Sequence, residues 1–197
     1  MNAKLPKIIA VSKTFGIDKI IPLIEYGHLD FGENKVQEAV DKWTAIKQKN
    51  SNIKLHMLGK LQTNKVKFAV KLFDYIHSVD SEKLAKKISE EQKKINRKIK
   101  IFIQVNIGGE NQKSGIDKNK LNDLINFSKK IGLDVVGIMC IPPFNEDPKI
   151  YFEEMMKLKK LNNFNDLSMG MSSDYIDACK FNSTFLRIGS SIFGERS

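Results

Sequence analysis

Eight short β-branched segments alternate with helical ones along 197 residues, with no linker or break in composition between them. After the first strand the chain reads Ser12-Lys13-Thr14-Phe15-Gly16, which is not a glycine-rich phosphate loop. Together these observations predict an α/β fold, the (β/α)8 TIM barrel, in a single domain spanning 1–197. They argue against an open doubly wound sheet, which would place a G-x-G-x-x-G loop at that point. The length lies at the small end for a barrel, about 200 to over 400 residues.

The first strand, about 7–12, is the apolar run Ile8-Ile9-Ala10-Val11, and alternation puts Ile9, Val11 and Lys13 on one face. The next helix, near 18–27, carries Ile20, Ile21, Leu23 and Ile24, with Asp18 as N-cap and Gly27 as its stop. Leu29-Asp30-Phe31 makes a short strand, and Gly32-Glu33-Asn34 opens a helix to about 49, where Val36, Ala39, Val40, Trp43 and Ile46 recur at helical spacing. Leu55-His56-Met57-Leu58 is the third strand, followed by a helix that starts at 61–64 and contains Val66, Phe68, Ala69 and Leu72. Tyr75-Ile76-His77-Ser78-Val79 is the fourth, with Asp80 capping a helix that aligns Leu84, Ile88 and Ile95.

Strand five, 98–106, divides most clearly. Ile99, Ile101, Ile103 and Val105 face helices, while Phe102, Gln104 and Asn106 form a side that grows more polar toward its C-terminal end. A helix near 117–130, a strand at 135–141 closed by Pro142-Pro143 and a helix at 147–161 follow. Leu167-Ser168-Met169, a short helix near 173–180 and the strand 184–188 complete the alternation.

Composition limits the possible functions. The net charge of +10 invites a nucleic-acid partner, but of 33 basic residues only Arg97, Arg187 and Arg196 are arginines. Readers of bases and phosphates favour the arginine fork, and lysines such as Lys86, Lys87, Lys93 and Lys94 fall on polar helical faces. The chain begins Met1-Asn2-Ala3-Lys4-Leu5-Pro6-Lys7 with no signal-peptide core, and no apolar run of about 18 residues occurs, so a soluble cytoplasmic protein is expected. Cys140 and Cys179 lack paired spacing and read as reduced, packed thiols. His28, His56 and His77 lack the spacing of metal ligands and read as structural. The Gly108–Gly115 loop has no glycine before Lys113 and reads as a turn.

Chemistry in such a barrel sits at the C-terminal ends of the strands. Those ends carry Lys13, Asn34, Asn64, Ser78, Asn106, Met139 to Pro142, Met171-Ser172 and Arg187 with Gly189-Ser190. They offer one lysine, one arginine, amides and two small-residue turns, and no carboxylate pair, metal cluster or Ser-His-Asp set. A lysine after a strand is by default only its first solvated residue. The late turns Ser168-Met169-Gly170-Met171-Ser172-Ser173 and Arg187-Ile188-Gly189-Ser190-Ser191 change that reading, because loops after strands seven and eight frequently bind phosphate. An amine, a guanidinium and a phosphate cradle together match pyridoxal 5′-phosphate (PLP): aldehyde, ring nitrogen and phosphate.

The segments Ala10-Val11-Ser12-Lys13-Thr14, Phe31-Gly32-Glu33-Asn34-Lys35-Val36-Gln37-Glu38 and Gly59-Lys60-Leu61-Gln62-Thr63-Asn64-Lys65, with Leu167-Ser168-Met169-Gly170-Met171-Ser172 and Arg187-Ile188-Gly189-Ser190-Ser191-Ile192-Phe193-Gly194, resemble the signatures of the pyridoxal phosphate homeostasis proteins. These are relatives of the alanine racemase N-terminal barrel. The resemblance implies that Lys13 forms the Schiff base with PLP, that Arg187 faces the pyridine nitrogen, that Ser172, Gly189 and Ser190 hold the phosphate, and that Asn34 lies near the cofactor. Apo-enzymes that accept PLP are the expected partners, and a monomer or weak homodimer the expected state. Two departures stand out. Only about six residues precede the first strand where the family has a helical segment, and Asn182 replaces a common glycine, a mild change because asparagine tolerates φ > 0.

A guanidinium about 4 Å from the pyridine nitrogen would oppose its protonation by roughly 4 kcal/mol, on the order of three pKa units. An unprotonated ring is a poor electron sink. A racemase also needs a second acid or base opposite Lys13, and Tyr26, Tyr75, Tyr151 and Tyr175 all fall in helices or at strand beginnings. The expectation is a protein that stores, buffers or delivers PLP without turnover. A small PLP-dependent racemase is the alternative, and a basic nucleic-acid-binding module a weaker one.

Overall fold

The structure, a computed structural model, describes residues 5–110 and 114–195. Its strands are β1 (Lys7–Val11), β2 (Asp30–Glu33), β3 (Lys54–Met57), β4 (Tyr75–Val79), β5 (Lys100–Gln104), β6 (Asp134–Met139), β7 (Asp166–Met171) and β8 (Phe185–Ile188). Between them lie α1 (Ile17–Glu25), α2 (Val36–Lys49), α3 (Val66–Leu72), α4 (Glu82–Lys94), α5 (Leu121–Lys130), α6 (Pro148–Leu161) and α7 (Tyr175–Lys180), and α8 (Ser190–Phe193) follows the last strand. The strands close into a parallel barrel in sequence order, β8 returning to β1 with Ile9 opposite Arg187. This is the (β/α)8 fold expected.

Strand alternation sorts the core into two layers. Ile9, Val11, Leu58, Tyr75, Phe102, Met139 and Phe185 pack inside the barrel. The larger cluster, including Phe31, Trp43, Ile76, Ile101, Ile103, Ile138 and Phe152, lies between strands and helices. Trp43 is completely buried and its ring lies 4.8 Å from Phe31.

Several expected boundaries shift. Gly16, not Asp18, is the N-cap of α1, and Asp18 sits in its first turn. Ser81 rather than Asp80 caps α4, its hydroxyl accepting from the Leu84 amide at 3.4 Å. Gly32 and Glu33 belong to β2 instead of opening α2, because the Glu33 carboxylate is buried in hydrogen bonds to neighbouring elements. β5 is shorter than 98–106, although its two faces divide as expected. Asn182 adopts φ 59°, the left-handed conformation it tolerates. Cys140 is buried, whereas Cys179 is exposed on α7 rather than packed. The turn expected at Gly108–Gly115 falls partly outside the described residues, as do Met1–Lys4 and Arg196.

Candidate functional site

Lys13 continues the inward alternation of Ile9 and Val11 and emerges half-buried at the C-terminal mouth of the barrel. It lines a cavity of about 770 Å³ together with Asn34, Ser172, Arg187, Gly189 and Ser190. All six positions singled out in the sequence therefore meet at one place, although they come from four different strand ends. Val11, Phe15, Leu58, Ile141 and Phe144 supply apolar walls, and Glu195 stands exposed at the rim.

The loop carrying Lys13 is anchored on both sides of the lysine. Ser12 points outward, donating its hydroxyl to Glu33 Oε1 at 2.8 Å and its amide to the Gly32 carbonyl at 3.0 Å. Lys42 of α2 donates to the Ser12 carbonyl at 2.9 Å and to Glu33 and Glu38, both at 3.0 Å. Trp43 Nε1 donates to the same Glu33 oxygen at 2.9 Å. On the far side the Thr14 amide donates to Glu38 Oε1 at 2.6 Å, and Thr14 holds φ at 70°, unusual for a β-branched residue. Burial pushes the Glu38 carboxyl up, but the Thr14 amide and Lys42 outweigh it and leave the group below its ordinary value. Phe15 then stacks on Phe193 at 5.1 Å, joining this loop to the turn after β8.

Opposite Lys13, the ends of β7 and β8 are tied through one hydroxyl. Ser172 Oγ accepts from the Gly189 amide at 3.2 Å and the Ser191 amide at 3.4 Å. The loop before it is held by the Met171 amide donating to Asp174 Oδ1 at 2.5 Å. The Gly189 and Ser191 amides are both engaged by the Ser172 oxygen, whose own hydroxyl hydrogen, with Ser190 beside it in the same turn, is the donor that suits an anion.

Arg187 is nearly fully buried on the inward face of β8. Its guanidinium donates from Nη1 to Ser168 Oγ and from Nη2 to the Cys140 carbonyl, each at 2.8 Å. Burial pulls its pKa down from the ordinary arginine value, opposed by Cys140 and Asp174. Burial also pushes the Cys140 thiol up to about 12, so it stays protonated. Behind Ser168 lie His77 and His56, both buried and hydrogen-bonded in series to Asp30. Sequence reasoning read these histidines as structural and found neither their connection to Arg187 nor the Glu33–Lys42 anchor. The available signal was positional, since Asp30, His56, His77 and Ser168 are polar residues on the inward face of otherwise apolar strands.

A closed parallel barrel with a lysine after its first strand and a buried arginine on its eighth defines the class of the alanine racemase N-terminal domain, and that family's model matches residues 1–197. Alanine racemase from Clostridium difficile shares the fold with a TM-score of 0.75 at 17% identity, covering 97% of this chain and 53% of that one. Within this class the chain belongs to the pyridoxal phosphate homeostasis protein family. It is 34% identical to the member from Pasteurella multocida, covering 96% of this chain and 86% of the relative. Against the Homo sapiens member the identity is 37%, over 97% of this chain and 77% of the relative. The structure of PipY from Synechococcus elongatus with PLP bound superposes with a TM-score of 0.87 at 32% identity, covering 96% of this chain and 92% of PipY. Among the described residues no helix is long and apolar enough to cross a membrane.

Proposed function

We propose that this protein binds PLP in the cavity at the C-terminal end of the barrel, and that it stores, buffers or delivers the cofactor without turnover of its own. The observation that carries the reading is the convergence of Lys13, Arg187 and the Ser172–Gly189–Ser190 turn on one cavity. The donor set fits the group: a primary amine for an aldehyde, a cation for a ring nitrogen, and serine hydroxyls for a phosphate. PLP supplies, when bound, an aldehyde that reacts with amines and a ring that can delocalise charge.

In this reading the chain's own residues bind and orient. Lys13 is the covalent attachment point, aimed inward by the Ser12 and Thr14 anchors on either side. Ser172 and Ser190, in the turn that Gly189 opens, would hold the phosphate, Arg187 would face the ring nitrogen, and Asn34 would lie near the ring. Arg187, as a cation, keeps a proton off that nitrogen, which disfavours carbanion chemistry. The tyrosines support the same reading. Tyr151 donates to Glu146 on the outside of the barrel, Tyr75 is packed with the inner core, and neither Tyr26 nor Tyr175 lines the cavity. Apo-enzymes that lack PLP are the proposed recipients.

Borohydride reduction of the PLP-loaded protein followed by peptide mass mapping is expected to place the phosphopyridoxyl adduct on Lys13, and Lys13→Ala is expected to abolish it. An adduct confined to another lysine overturns the site. Rapid α-proton exchange in alanine or serine by the loaded protein overturns the absence of turnover.

A further inference from the structure

The interior of a barrel of this kind is ordinarily filled by branched apolar side chains. Here five inward polar side chains from five strands run through it as one file. Arg187 Nη1 lies 2.8 Å from Ser168 Oγ, and Ser168 Oγ lies 2.9 Å from His77 Nδ1. His77 Nε2 lies 3.0 Å from His56 Nδ1, and His56 Nε2 lies 3.0 Å from Asp30 Oδ1. The file starts at the cofactor cavity and ends at the first residue of β2, at the opposite mouth of the barrel.

Hydrogen-bond bookkeeping leaves one arrangement for neutral rings. A guanidinium only donates and an ionised carboxylate only accepts. His56 therefore carries its proton on Nε2, toward Asp30, and accepts at Nδ1. That acceptor requires the His77 proton on Nε2, so His77 Nδ1 accepts from the Ser168 hydroxyl. The Ser168 oxygen in turn accepts from Arg187. Every donor points away from the cavity, and each bond polarises the next in the same sense. Among the described residues no carboxylate forms an ion pair with Arg187, so Asp30 is the anion in which this buried cation's chain of hydrogen bonds ends.

We infer that Ser168, His77, His56 and Asp30 are positioning residues for Arg187: their one-way chain fixes the direction in which the guanidinium meets the cofactor's ring nitrogen. The inference rests on the reading of the cavity as a PLP site. The rings are held in place by packing as well, His77 stacked on Phe102 at 4.3 Å and His56 on Tyr75 at 4.4 Å. Burial keeps both rings neutral. It lowers His56 against the pull of Asp30 and Asp74, with Lys7 adding slightly, and it holds His77 well below its ordinary value with help from His56 and Arg187. Asp30 is burdened by its partial burial, but the hydrogen bond that His56 donates and the nearby Lys7 charge hold its carboxyl below the ordinary value. A protonated His56 would present N–H groups to both neighbours, move the His77 proton to Nδ1 and leave the Ser168 hydroxyl, now accepting from both His77 and Arg187, with no acceptor for its own hydrogen.

Two experiments on the full chain test this. Imidazole ¹⁵N NMR of the protein without cofactor is expected to show His56 and His77 as neutral Nε2–H tautomers at neutral pH. A proton on Nδ1 of either ring, or a charged ring, overturns the one-way chain independently of any cofactor. The second is a PLP titration read by visible absorption across pH. Ser168→Ala and His77→Gln, which remove the link to Arg187, are expected to weaken binding by on the order of tenfold or more and to change the pH dependence of the visible band relative to the native protein. His77→Asn, whose amide oxygen replaces Nδ1 as the acceptor for Ser168 but which lacks the N–H toward His56, is expected to recover part of the loss, the remainder reporting the severed link to His56 and Asp30. Native-like titrations for Ser168→Ala and His77→Gln overturn the inference alone. Equal loss in the Gln and Asn variants assigns His77 a packing role and overturns it as well. Failure of the native protein to take up PLP overturns the reading of the cavity, and this inference with it.

Discussion

Glu33 shows how one residue can escape a reading of the sequence and still govern the site. A glutamate after Gly32 and before Asn34 fits the first turn of a helix, where acidic residues are common. In the structure it is the end of β2, and its Oε1 atom receives Ser12, Lys42 and Trp43. No local pattern reports this, because the partners come from β1 and α2 and meet only after folding. Lys13 was legible for the opposite reason, since alternation puts it on the face of Ile9 and Val11 and the small-residue turns near Ser172 and Gly189 give an amine there a partner. Glu33→Leu removes one member of a buried ion pair and the acceptor of two further donors, and it is expected to cost about 3–5 kcal/mol in urea denaturation. Glu33→Gln keeps an acceptor at the same place and is expected to cost about 1–2 kcal/mol. If the two variants are equally stable, the Lys42 pair is not what holds the Lys13 loop.

At the scale of elements, the order and type of the strands were readable because each apolar run is short and bounded by polar or glycine residues. Boundaries were less so. Asp80 and Ser81 are adjacent and both are good N-caps, and only the geometry of the entering chain selects the serine. One close approach between elements shapes the cavity directly. A methyl group built on Gly59, just beyond β3, would lie 2.3 Å from the Asn34 carbonyl oxygen and 2.9 Å from its Cα. The loop after β2 and the loop after β3 can touch only because this residue has no side chain. Gly59→Ala is expected to destabilise the protein by about 1–3 kcal/mol and, by displacing Asn34, to weaken PLP binding. A thermal melt and a PLP titration matching the native protein would show that the Asn34 backbone yields without consequence.

For the whole molecule, the barrel interior carries a pH dependence that can be signed. His56 and His77 are neutral in the native state because burial depresses their pKa values, whereas in the unfolded chain they titrate near 6.5. Unfolding below that pH therefore takes up protons, and stability rises with pH. The contribution is fully present above about pH 6.5 and is lost as pH falls, at about 1.4 kcal/mol per pH unit for each ring. Urea denaturation between neutral and mildly acidic pH is expected to show stability falling as pH falls, at a slope of about 1.4 kcal/mol per pH unit from His77 alone, steeper where His56 also stays neutral, and His77→Asn is expected to remove the His77 part. A stability that is flat over that range would mean that the two rings charge freely inside the barrel. The barrel itself was legible in the repeated alternation of elements. The polar file through it was not, because each member looks like a single polar residue in its own strand and the register that aligns them is set by closure. Closure also fixes when the site comes into being. The residue opposite Arg187 is Ile9, and the Lys13 loop rests on Phe193. Those pairings join β1 to β8. A nascent chain in which β8 has not yet emerged carries Lys13 without the wall that Arg187 and Gly189 supply, so the cavity forms only once β8 has paired with β1.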